Sequence, residues 1–165
     1  MKMIIENLVR ALREELQDYG ELLARLDEEQ ACVLRRAPDG LLSAVDSIEE
    51  QSLTVQRARA SREECRNLLA SELNLPPDAS FKALIEALPA DYRPLVSALM
   101  DENNELLRRV QQRARQNHLL LSRSVQLMQS FLGTLFQVGH GSTYDQSGGA
   151  YRPHAASHSL YEAVG

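Results

Sequence analysis

The chain of 165 residues contains no tryptophan, and aromatic residues make up only 5 % of it. A core drawn from this alphabet rests on Leu, Val, Ile and Ala. That favours packed helices over a sandwich of sheets, which would use more aromatic and β-branched side chains. No apolar run approaches the roughly 18 residues of a membrane span. The opening Met1-Lys2-Met3-Ile4-Ile5-Glu6-Asn7 also lacks the apolar stretch of a signal peptide. The expectation is a cytoplasmic protein with no segment inserted in a membrane. Cationic charge is in deficit too, with a net charge of −5, which argues against a nucleic-acid backbone as the main partner. The two cysteines, Cys32 and Cys65, match no metal-ligand spacing and read as reduced, half-buried helix residues.

Signatures of catalysis are missing as well. There is no Gly-rich phosphate loop, no Gly-x-Ser-x-Gly elbow, no His-Glu-x-x-His and no Glu-x-x-His pair. Gly139-His140-Gly141-Ser142 reads as linker, and His154 and His158, four apart after Pro153, read as adventitious metal binders at most. His118 lies on a helix, where a histidine can carry a phosphoryl group. Histidine phosphotransfer domains follow that residue with Lys and Gly, whereas Leu119-Leu120-Leu121-Ser122 stands here, so His118 reads as a rim residue. No enzyme activity, cofactor or metal is expected.

What the chain does have is helical periodicity. Ile5, Leu8, Val9, Leu12, Leu16, Tyr19, Leu22, Leu23, Leu26 and Val33 recur at spacings of three and four, which predicts a helix from about Ile4 to Arg36. Gly20 interrupts its interior, at a cost of about 1 kcal/mol. Ala37-Pro38-Asp39-Gly40 reads as a turn, with Asp39 placed to cap a second helix from about Leu41 to Leu73. Leu41, Val45, Ile48 and Val55, then Leu68, Leu69 and Leu73, are its expected buried stripe. Arg57, Arg59, Arg62 and Arg66 read as a solvated basic face. Asn74-Leu75-Pro76-Pro77-Asp78-Ala79 is a loop, and Ser80 caps a short helix, Phe81 to Leu88.

A last helix is predicted from about Asp91 to Val138, with Pro94 harmless in its first turn. At about 1.5 Å per residue, roughly 45 residues of it would span about 68 Å. With Val96 at heptad position a, the a positions read Val96, Asn103, Val110, Asn117, Ser124, Phe131 and Val138, and apolar residues fill most of d and e. This stripe is wider than a coiled-coil seam and predicts a bundle layer. The polar a residues Asn103, Asn117 and Ser124 are expected to fix the register of packed helices. From about Leu119 the helix is apolar on most of its circumference, more than two neighbours can cover, which points to a partner. The expected division is a helical domain, 1–138, and a flexible tail, 139–165, too poor in apolar groups to offset the entropy of ordering.

Several stretches are distinctive together: Glu14 to Leu26, Ser80-Phe81-Lys82-Ala83-Leu84 ahead of Pro89, Asn103-Asn104-Glu105-Leu106-Leu107, Asn117 with Leu120-Leu121-Ser122, and Thr143-Tyr144-Asp145-Gln146-Ser147-Gly148. In these and in its helix layout the chain resembles the FlgN-type flagellar export chaperones. The likeness covers about residues 3 to 150. The fold expected is all-α: an antiparallel bundle of three long helices with a short linking helix and a flexible tail. The resemblance implies a type III secretion chaperone that holds the C-terminal segments of the two hook–filament junction proteins before export. It then delivers them to the flagellar export gate and the export ATPase complex. Val125, Met128, Leu132, Leu135 and Phe136 are the expected client surface, and Tyr144 the expected contact with the export machinery. The competing reading is a self-assembling helical scaffold, in which the apolar end of the last helix is a homo-oligomer seam. A third is phosphotransfer through His118.

Overall fold

The computed structural model describes the backbone of residues 1–139 and the side chains through Ser130, with that of Leu132. The described residues form four helices and no strands: α1 (Lys2–Arg35), α2 (Pro38–Glu72), α3 (Phe81–Ala87) and α4 (Arg93–Gly139). Two compact units result, Met1–Gln126 and a second that begins at Leu127.

In the first unit, α1 supplies the central face. Ile5, Leu8, Val9, Leu12, Tyr19, Leu22, Leu23 and Leu26 are all buried, as a 3.6-residue repeat of apolar groups requires. Three contacts give the direction of α2. Arg62 pairs with Glu15 at 2.7 Å, Gln51 donates to the Asp18 carbonyl at 3.1 Å, and Arg25 donates to the Ser47 hydroxyl at 2.8 Å. Numbers rise on one helix as they fall on the other, so α1 and α2 are antiparallel. On α4 the order reverses: Asn103 bonds to the Leu12 carbonyl and Asn117 to that of Leu26. Thus α4 runs antiparallel to α2 but in the same direction as α1. The expected bundle of three long helices forms, with α2 antiparallel to both α1 and α4 and those two parallel to each other.

The apolar core has two parts. One joins Ile5, Leu8, Leu12, Leu69, Leu84, Leu88, Val96 and Leu99 from all four helices. The other joins Tyr19, Leu22, Leu23, Leu26, Val55 and Val110.

Helix ends follow local chemistry. Arg36 and Asn74 adopt left-handed backbone, with φ of 55° and 54°. The next amide closes onto the helix each time, Ala37 N–H to the Cys32 carbonyl at 3.0 Å and Leu75 N–H to that of Ala70 at 2.9 Å. The Ser80 hydroxyl accepts from the Ala83 N–H at 3.2 Å, capping α3 as expected.

Three expectations need correction. Asp39 does not cap α2. The helix starts earlier, at Pro38, whose fixed φ suits the first helical position, and Asp39 lies within the first turn. The buried stripe of α2 keeps only Val55 and Leu69 of the large residues expected there. It is Ala44, Gln51, Val55, Ala58, Leu69 and Ala70, while Val45 and Leu68 are exposed. The approach of α1 and α2 is close, so small side chains occupy it. A Cβ on Gly40 would stand 3.0 Å from the Cys32 sulfur. For the same reason Cys32 is buried, not half-buried; Cys65 is intermediate.

Candidate functional site

The register of α1 against α4 is held by amides. Asn103 Nδ2 donates to the Leu12 carbonyl at 3.0 Å and to the Leu99 carbonyl on its own helix at 2.9 Å. Asn117 Nδ2 donates to the Leu26 carbonyl and to Glu29 Oε2, both at 2.7 Å. Both cross-helix bonds join residues 91 apart in sequence. A constant offset over fourteen residues means that the two helices stay side by side for two heptads. The same offset sets Ile5 level with Val96 and Tyr19 level with Val110, and each pair shares a core cluster. Apolar and polar layers therefore alternate. Ser124, the third polar a residue, is exposed and bonds to the Leu120 carbonyl of its own helix. Arg113 adds an edge contact, 3.1 Å from Asp27, and bonds to Gln30. By this offset the end of α1, Arg35, lies level with Gln126.

Large apolar side chains then meet solvent. In the first unit Leu119 is 59 % exposed and Val125 55 %. In the second, Leu127 is 72 % exposed, Met128 68 % and Leu132 47 %. Single exposed leucines are ordinary, and Leu34, Leu42, Leu53 and Leu68 are of that kind. Five within fourteen residues of sequence are more than such scattered exposure accounts for. Of the expected client residues, Val125, Met128 and Leu132 stand exposed on α4. Leu135 and Phe136 belong to the same helix, with side chains outside the described residues, and Tyr144 lies outside them altogether. Leu127, the most exposed of the cluster, was not singled out from sequence. The signal for it was present, since it falls in the stretch that is apolar all round.

The expected basic face of α2 is only partly a face. Arg62 and Arg66 are largely buried, with side chains 16 % and 14 % exposed. Arg62 reaches buried Glu15, whose Oε1 also accepts from the Tyr19 hydroxyl at 3.1 Å. Arg66 bonds to Glu63 at 2.7 Å and to the Ala79 carbonyl, tying the α2–α3 loop. A carboxylate on the core side of α1 needs a cation, and α2 supplies it. This cluster is structural.

Nothing among the described groups is poised for chemistry. Burial, then Glu64 and Glu14, pushes the Cys65 thiol up, away from the reactive thiolate. Burial and neighbouring Glu21 raise the Asp18 carboxyl. His118 is exposed on α4. His140, His154 and His158 lie outside the described residues. Among the described residues no cluster of His, Cys, Asp and Glu is suited to a metal, and no helix is long and apolar enough to cross a membrane.

No curated protein and no solved structure matches the chain. A model of the FlgN protein family matches residues 1–152, nearly the whole of the 165. The match takes in all four helices, the two asparagines that hold α4 and the exposed apolar stretch beyond them. The chain belongs to the FlgN protein family, and is a flagellar export chaperone.

Proposed function

We propose that this chaperone binds C-terminal helical segments of the hook–filament junction proteins in the cytoplasm, prevents their premature assembly, and delivers them to the export gate and export ATPase complex. One observation carries the reading: the cluster of exposed apolar side chains late in α4. Val125, Met128 and Leu132 are spaced i, i+3, i+7, so they share a helix face that suits an amphipathic partner helix. Leu135 and Phe136 continue the series in sequence. Burying each such side chain contributes roughly 1.5–3 kcal/mol, from which the ordering of the bound segment is subtracted. Holding a client this way needs no covalent step. Tyr144 is the proposed contact with the export machinery.

The same cluster favours a second reading, a homodimer or larger self-assembly in which α4 covers α4. Titration calorimetry against C-terminal peptides of the two junction proteins separates them. The wild type is compared with Val125→Asp, Leu132→Asp, which circular dichroism must show to be folded. The expected result is saturable binding by the wild type and none by the variant. Absence of binding by folded wild type at high micromolar peptide overturns the client reading. A tight, client-independent dimer lost in the variant would establish self-assembly instead.

A further inference from the structure

Charge is segregated along this chain. From residue 106 to residue 139 there are five arginines and no Asp or Glu, although the chain as a whole carries −5. Two of the five are committed: Arg108 to Glu105 at 2.7 Å and Arg113 to Asp27 at 3.1 Å. Arg109, Arg115 and Arg123 are exposed and form no ion pair among the described residues. At about 100° per residue, Arg109, Gln112, Arg115, Leu119 and Arg123 fall within an arc of about 120°. Val110 and Asn117, which are buried against α1, lie on the other side of the helix. The outward face of α4 in the first unit thus presents three exposed guanidinium groups around exposed Leu119, with Arg109 one turn from Glu105, whose carboxyl it helps Arg108 to hold down.

We propose that this face adsorbs to an anionic lipid surface. Arginine forks match phosphate oxygens, and their aliphatic stems lie along apolar surface while the charge stays in water. A basic stretch of exposed helix with an apolar residue between its cations has the composition of a membrane-surface contact. The three arginines are about 9 and 12 Å apart along the axis. That is too far for one carboxylate ladder at i,i+3 or i,i+4 spacing, but it suits separate headgroups on a fluid surface. No aromatic side chain interleaves with them to stack a base. Contact is peripheral, since no described helix is apolar enough to insert. The client surface is a separate matter, so the two proposals stand or fall apart.

The test is flotation of the full chain with phosphatidylcholine vesicles, with and without phosphatidylglycerol. The wild type is compared with Arg109→Gln, Arg115→Gln, Arg123→Gln. All three sites are exposed, and unchanged circular dichroism and denaturation midpoint confirm that the variant is intact. The wild type should float with anionic but not neutral vesicles and detach as salt is added. At about fivefold per basic group, the triple variant should bind about a hundredfold more weakly. Failure of the wild type to float with anionic vesicles overturns the proposal, as does equal flotation with neutral ones or an unaffected variant. If instead the wild type ignores vesicles but binds polyglutamate, and the variant does not, the face recognises acidic polypeptide and the lipid assignment falls.

Discussion

Glu15 occupies a position on α1 that helical periodicity reserves for an apolar group, and Arg62 and Tyr19 keep it there. Its charge, after burial, is what pushes the Tyr19 phenol from 10.0 to about 12. An unfolded chain releases that proton near 10 while the native state holds it, so the native state binds more protons in between. Stability is intact below pH 10 and is lost as pH rises towards 12. Urea unfolding at a series of alkaline pH values should show this slope, and Tyr19→Phe should flatten it. An equal slope in the variant would place the titrating group elsewhere. A gain is available next door. A Cβ on Gly20 would meet only Leu106 Cδ2, at an ordinary 3.9 Å. Gly20→Ala should therefore raise stability by about 0.5–1 kcal/mol through helix propensity, read as a shift in denaturation midpoint at constant slope. At this scale the sequence was only half legible. Apolar periodicity located Tyr19 and its neighbours. Burial of Glu15, Glu29 and Gln51 depends on partners on other helices, which no local pattern reveals.

Among the helices, α1 and α4 announced themselves by strong amphipathic repeats, and the heptad reading picked out Asn103 and Asn117 as register residues. Cross-helix bonds to Leu12 and Leu26 are the outcome. Helix α2 misled because its inward face is chosen for smallness. Ala44, Ala58 and Ala70 pack inside, and larger Val45 and Leu68 face out. Hydrophobicity ranks those residues the wrong way round when two backbones come close. The asparagine layers make a sharp prediction. Asn117→Asp places a second carboxylate where an amide now donates to Glu29 and to the Leu26 carbonyl. The loss should be about 3 kcal/mol or more at neutral pH, and it should shrink on acidification as one carboxyl takes a proton. Denaturation of variant and wild type at neutral and acid pH measures it; a variant as stable as wild type at neutral pH would mean that Asn117 does not hold α4.

For the molecule as a whole, the expected class, helix count and order were readable from punctuation: Pro38, Pro76-Pro77, Ser80 and Pro89 fall at element boundaries. The exposed cluster late in α4 was readable as well, because no bundle position accounts for apolar groups on every side of a helix. Less legible was how charge is divided. A single net value of −5 conceals an acid-free, arginine-bearing stretch of α4 beside acidic α1 and α2. Only placing Arg108 and Arg113 in their ion pairs shows which arginines are left over.

The alternation of polar and apolar layers also bears on how such a chain can change length. Asn103 and Asn117 are fourteen residues apart, as are the α1 carbonyls they engage and the buried Glu15 and Glu29. Loss or gain of one heptad in α1 alone would set an asparagine against an apolar layer. Matched steps of two heptads in α1 and α4, with α2 adjusted to span them, would bring every amide back to a carbonyl. Insertions and deletions should therefore be tolerated where α1 and α4 change together by the same number of heptads, and not where one of them changes alone by a single heptad.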